Sequence, residues 1–306
     1  MNFADLTYEQ IHDHSTHGAV VFLPLGCTEQ QGPHLAVEFD TLMISAMAQA
    51  IAERVQSQLG RAVLVLPALP FGPTPEHAGF GAGYVNLRQA THEAIVEDVL
   101  NSMAAQSFET MIVWRGCGQH DLMDVIERFN ASHERARAWQ PLADYPRIAD
   151  EAFGRRIAGG HADSFATSIC MLLRPEAVRR ERIARPTMRP FEWEREMDFS
   201  TISDTGVIGD PTVASAEAGP RRLIERTGGA VERAALGHKR DRRPALPMHD
   251  RARLPSTGQG VPQAAPVQPM LALAERELGD HVGVDDVGDV KLRPPFIQLG
   301  SRVVEE

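Results

Sequence analysis

The sequence predicts an α/β protein organised on a parallel sheet. Three apolar runs, residues 19–23, 62–66 and 110–114, have the length and continuity of strands buried on both faces. Each is followed by a stretch whose apolar residues recur at helical spacing. Strands and helices alternating in this way make βαβ units.

The elements follow in order. Residues 3–17 read as a short amphipathic helix leading into the first strand, which Pro24 and Gly26 bring to an end. A helix over 41–59 carries Met43, Met47, Ile51 and Val55 on one stripe, with Asp40 or Thr41 as its cap and Gly60 as its C-terminal stop. The second strand, 62–66, runs into a loop with Pro67, Pro70, Pro73 and Pro75, then Glu76 and His77. Ile95, Val96, Val99, Leu100 and Met103 stripe the next helix over 91–103. The third strand ends in Arg115–His120, and Leu122, Val125, Ile126 and Phe129 mark the helix after it. Residues 137–158 read as irregular. A helix begins at His161 and stops at Pro175, because proline cannot continue it. Residues 176–200, rich in Arg and Glu, read as surface or subunit contact, and the charge run 179–195 as a solvated face. The glycine-bearing loop 202–219 opens a further helix at 212–216. Beyond about residue 238 the chain turns basic and then Pro- and Gly-rich, the composition of an extended arm. The expected organisation is one α/β domain over 1–240 and an extension over 241–306 packed on that domain or on a neighbouring subunit.

Composition narrows the function. The 306 residues are 43% hydrophobic and 24% charged, ordinary for a globular protein with a sizeable core. A net charge of −10 argues against nucleic-acid binding, which needs a basic face. No apolar run is long enough for a membrane span, and the first residues lack the basic and apolar regions of a secretory signal. The 3 cysteines, Cys27, Cys117 and Cys170, have no paired spacing and suit a reducing cytoplasm.

The connection after the first strand is the chemical centre of the sequence. Strand-to-helix connections usually run about two to six residues. This one extends from Gly26 to beyond His34 and holds Glu29, Gln30, Gln31, His34 and Asp40 near the strand's carboxyl end. Ligands of open α/β sheets bind at that end. The run GCTEQQGPHLAVEFD resembles the signature loop of the creatininase (creatinine amidohydrolase) family, G-S-T-E-Q-H-G-P-H-L-P-x-G-T-D. Glu76 and His77 with Phe80 resemble the start of its E-H-x-x-F-P-G-T segment. VWRGCGQH lies where the family has V-N-G-H-G-G-N, GGHADSFATS resembles H-A-G-E-x-E-T-S, and DTGVIGDPTVASAEAG matches G-V-x-G-D-P-x-x-A-x-x-x-x-G. The likeness covers residues 15–236 and implies a three-layer α/β/α sandwich. By resemblance it also implies a homo-oligomer, a hexamer or trimer, acting on a small-molecule substrate.

The departures lie at the metal ligands. The family's two-metal centre uses the loop's Glu, its first His and its Asp. Here Glu29 and Asp40 stand, but the His position is Gln31, a second His position is Cys117, and a carboxylate position is Gln119. Glutamine is a weak neutral donor, whereas thiolate ligates zinc well. The alternatives are one divalent ion, Zn or Mn, on Glu29, Asp40 and Cys117, or no ion and acid–base catalysis. Catalytic candidates are Glu29, His34, His77, Arg115, His120 and His161, since His titrates near neutral pH and Arg stabilises oxyanions. Gln30, Gln31, Trp114 and Gln119 are the substrate-binding candidates, Trp114 being either core or a pocket wall. His12, His14, His17, His92, His133, His238, His249 and His281, with Cys27 and Cys170, read as structural. The expected activity is ring-opening hydrolysis of a small polar cyclic substrate, leaning to a carbocyclic keto-polyol of the dehydro-inosose type cleaved at a C–C bond. A cyclic-amide hydrolase with a mononuclear metal site and an inactive ligand-binding homologue are the alternatives.

Overall fold

The computed structural model describes residues 1–140, 160–192 and 197–216. The apolar runs form strands β1 (Val20–Leu25), β2 (Val63–Val65) and β3 (Thr110–Arg115), joined by a fourth, β4 (Arg137–Trp139). All pair in parallel in the order β2-β1-β3-β4, with Val20 opposite both Val63 and Thr110. The helices are α1 (Tyr8–Thr16), α2 (Phe39–Leu59), α3 (Gln89–Ala105), α4 (Met123–Ser132) and α5 (Ser164–Leu173).

Alternation along the strands divides the core in two. Val20, Phe22, Val65, Ile112 and Trp114 face α2 and α5, meeting Met43, Ile44, Met47, Ile51 and Ile169. Val21, Leu23, Leu64, Met111 and Val113 face α3 and α4, meeting Val96, Leu100, Val125, Ile126 and Phe129. Helices on both faces of a parallel sheet give the three-layer α/β/α sandwich. Each large apolar side chain so buried stabilises the fold by about 1.5–3 kcal/mol.

Several expectations are corrected. β1 runs through Pro24 to Leu25: the proline forgoes a ladder N–H, but its carbonyl accepts from Leu69 N at 3.1 Å. β4 falls inside the stretch read as irregular. Only Ala138 is buried there, so no apolar run announces it; the Asn130 side chain clamps both the N–H and the C=O of Ala138 at 2.8 and 2.9 Å. Asp40 does not cap α2. Glu38 takes that place, and Asp40 turns inward from the first turn. α5 starts at Ser164 because Asp163 caps it, accepting from Phe165 N and Ala166 N, while His161 forms an isolated antiparallel bridge with Ile208. Gly60 closes α2 with φ of +63° as expected. Over 212–216 a short 3-10 turn, Pro211–Val213, replaces the expected helix. The extension over 241–306 lies outside the described residues.

Candidate active site

Four loops meet at the carboxyl ends of β1, β2 and β3, and glycine lets two of them close on α2. A Cβ on Gly26 would come 2.3 Å from Thr41 Oγ1, and one on Gly116 would come 2.8 Å from the Asp40 carbonyl. The first turn of α2 is thereby drawn against both strand ends, which buries Asp40 beside the loop that carries Glu29.

Glu29 is the hub. Its Oε2 accepts from the Cys27 thiol at 3.0 Å and from the Cys117 thiol at 3.7 Å, and lies 3.3 Å from His77 Nε2. Its Oε1 accepts from Gln31 Nε2 at 3.2 Å and lies 3.5 Å from His161 Nδ1. Gln31 Nε2 also donates to Asp40 Oδ2 at 3.0 Å, and Cys27 donates to the same oxygen at 3.3 Å. Two carboxyl groups are thus bridged by an amide and a thiol, in surroundings where Glu29 is 2% and His77 0% exposed.

Gln30 sets the histidine tautomers. Gly32 N donates to Gln30 Oε1 at 2.9 Å, which turns the amide nitrogen towards His77 Nδ1 at 3.0 Å. His77 therefore carries its proton on Nε2, facing Glu29 Oε2 and, at 3.6 Å, Glu76 Oε1. His161 Nε2 donates to the Gln30 carbonyl at 2.6 Å, leaving the Nδ1 lone pair towards Glu29. The two imidazoles lie 4.7 Å apart, with Phe199 against each at 5.1 and 5.3 Å. Gly206, at φ of +79°, makes room for Gln30: a Cβ there would meet its amide nitrogen at 2.3 Å.

Burial governs protonation. It raises Glu29, and it raises Asp40 well above the usual carboxylate range, with the charge of Glu29 adding to the shift. Of two adjacent buried carboxyls, each resists ionisation while the other is charged. Glu76 is pushed up to about 7 by burial and then by Glu29. Burial lowers His77, and lowers His161 to about 3 with help from His77, so both imidazoles are neutral. The Cys27 thiol is raised well above its ordinary value by burial. The hydrogen bond with Cys27 favours the Cys117 thiolate, but burial and the charges of Glu29 and Asp40 outweigh it and push this thiol up to about 12.

The structure does not bring every candidate to the hub. His34 Nε2 pairs with Thr167 Oγ1 at 2.8 Å and pins the loop to α5. Trp114 is 1% exposed, packed on Phe22 at a centroid distance of 5.9 Å, and so belongs to the core rather than to a substrate surface. The Arg115 guanidinium donates to the His120 carbonyl, within its own loop. Gln119 is half-buried on the turn between Cys117 and His120. His120 packs against His92, read as structural, with ring centroids 4.7 Å apart and planes tilted by 55°. Cys27, Glu76 and Phe199 join the site although the sequence reading left them out. No signal in the sequence marks Cys27, since a lone cysteine at a strand end reads as a small hydrophobe.

Four groups of buried donors come close enough for a cation: Glu29–His77–His161, Cys27–Glu29–Asp40, Glu29–Glu76–Cys117 and Cys27–Cys117–His120, each within 4.8 Å. Glu29 and Asp40 thus meet through Cys27, and Glu29 and Cys117 through Glu76.

Residues 4–234 match the family model described as creatininase, creatinine amidohydrolase. The chain belongs to the creatininase family. A mycofactocin precursor peptide peptidase of Mycolicibacterium smegmatis is 26% identical over 218 residues, covering 70% of this chain and 83% of that protein. A 3-dehydro-scyllo-inosose hydrolase of Thermotoga maritima is 23% identical, covering 70% and 76%. A solved manganese form of creatininase superposes with a TM-score of 0.65 at 21% identity, over 76% of this chain and 96% of that one. The creatininase fold is therefore shared, and the chain is a hydrolase of this family. Among the described residues no helix is long and apolar enough to cross a membrane.

Proposed function

We propose that this creatininase-family chain hydrolyses the C–N bond of an amide in a small polar substrate, a short peptide or a cyclic amide. The observation that supports this most is the buried pair Glu29 and Asp40, bridged by Gln31 and Cys27 and flanked on the Glu29 side by His77 and His161, with burial raising both carboxyls. An ionised carboxylate takes a proton from the attacking water, and its protonated neighbour returns one to the leaving nitrogen. His77 Nε2 faces Glu29 Oε2 at 3.3 Å, Gln31 Nε2 donates to both carboxyls, and the neutral His161 turns its Nδ1 lone pair towards Glu29 Oε1 at 3.5 Å. The relatives named for peptide and creatinine hydrolysis agree with amide chemistry.

The two-metal arrangement implied by resemblance does not fit these residues. Gln31 presents its amide N–H groups, not its oxygen, to both Glu29 and Asp40, and so stands where a cation would stand. One ion does fit: Glu29 belongs to two donor groups that do not involve Asp40, one with Glu76 and Cys117 and one with His77 and His161. An ion there supplies Lewis-acid polarisation of the substrate carbonyl.

The inosose hydrolase relative favours a second reading, hydrolytic C–C cleavage of a keto-polyol ring. The test is to incubate the full chain with short peptides, cyclic amides and a keto-inositol, with zinc or manganese supplied, and to identify products by mass. Addition of water at an amide is the expected result. A ring-opened acid from the keto-polyol alone would select the second reading, and no product from any of them would overturn both.

A further inference from the structure

We propose that Cys27, Cys117 and His120 bind one thiophilic divalent ion of the zinc type. Their ligand atoms lie within 4.8 Å of one another, and the three residues are 0%, 6% and 0% exposed. Zinc holds sulfur at about 2.3 Å and imidazole nitrogen at about 2.0–2.1 Å in a tetrahedron, so a modest contraction closes the site. The second observation is the His120 ring. Both of its nitrogens are buried without a hydrogen-bond partner, and each such atom costs about 1–3 kcal/mol. A cation bound through one of them removes part of that cost.

The ring is deliberately accommodated by the backbone. A Cβ on Gly72 would lie 2.2 Å from His120 Nε2, so only glycine leaves it space. The His92 ring packs against it, tilted by 55° with centroids 4.7 Å apart. Glu29 Oε2 accepts from both thiols, at 3.0 and 3.7 Å, so a carboxylate lies beside the two sulfurs. The resemblance places Ser at Cys27 and Asn at His120, so these two donors depart from the family pattern, while Cys117 stands at one of its metal-binding His positions. Thiolate and imidazole together select zinc-like ions over manganese, which prefers oxygen. Binding releases the two thiol protons to solvent as each sulfur takes up the metal.

This inference deepens the proposed function, because Glu29 is common to both, yet the two are separable by experiment. The metal-stripped full chain is titrated with Co²⁺ while near-ultraviolet absorption is recorded. Thiolate-to-cobalt charge transfer should grow to one equivalent, be displaced by Zn²⁺, and be accompanied by release of about two protons per ion. Cys27→Ser and Cys117→Ser should each weaken the band, and His120→Asn should lower affinity by at least the 10–100-fold that outer-shell losses cost. Proton release by the unmodified chain keeps the proposal testable if a variant fails to fold. No charge-transfer band at saturation, or a band unchanged in both cysteine variants, would overturn it. A band without hydrolysis of any substrate sustains this site and removes the hydrolase reading; hydrolysis without a band does the reverse.

Discussion

Glu29 illustrates how one side chain acquires its chemistry from its neighbours. Alone in a loop it would be an ordinary solvated carboxylate. Buried between two thiols, two imidazoles and a second carboxyl, it holds a raised pKa. The identity of Glu29 was legible in the sequence, since its motif and position at a strand end mark it. The partnership of Cys27 was not, because a lone cysteine two residues away reads as a small hydrophobe. Likewise Trp114 and Arg115 carry functional residue types, but one is drawn into the core and the other to a backbone carbonyl. His34 gives a test at this scale. Burial lowers its pKa to about 4, below the ~6.5 of an unfolded histidine. Between those values the unfolded chain binds a proton that the folded chain refuses. Its contribution is therefore full above about pH 6.5 and lost as pH falls towards 4. His34→Gln should make the urea midpoint less steeply dependent on pH across that window; an unchanged slope would contradict the assignment.

At the scale of elements, the strands and the helices behind them were read from periodicity, because continuous apolar runs and helical stripes report burial directly. The misread boundaries share a cause. β4 is too short and too exposed to leave an apolar signature, and is held by Asn130 instead. The start of α5 is set by the Asp163 cap and by the bridge from His161 to Ile208, neither of which has a periodic signal. Next to that bridge, Ala162 adopts φ of +48°, the left-handed region that disfavours a Cβ. Ala162→Gly relieves this strain while adding entropy to the unfolded chain, so thermal unfolding should show a change within about 1 kcal/mol of zero. A loss well beyond that would mean the conformation is not intrinsic to the site. Gly206→Ala should behave oppositely, since its Cβ would displace the Gln30 amide that sets the His77 tautomer. Its expected effect is a fall in turnover larger than its fall in stability, read from parallel kinetic and unfolding measurements.

For the whole molecule, the sandwich is a frame that brings loops from separate strands and from the segment before α5 to one point. Glu29, His77, Cys117 and His161 come from four different connections, and no local pattern in the sequence shows that they touch. The motif order made the frame legible, whereas the altered ligands left the chemistry to geometry. Family resemblance also implies a homo-oligomer, and sedimentation of the full chain should give a trimer or hexamer; a monomer at working concentration would remove that expectation. In the proposed reaction the buried Glu29 and Asp40 pair performs the hydrolysis. Its most direct test is to compare amide turnover by the unmodified chain and by Glu29→Gln, with circular dichroism and unfolding midpoints as controls. Glu29→Gln should lose about 10²–10⁴-fold in turnover with the fold retained. Equal turnover by a folded Glu29→Gln chain would contradict it.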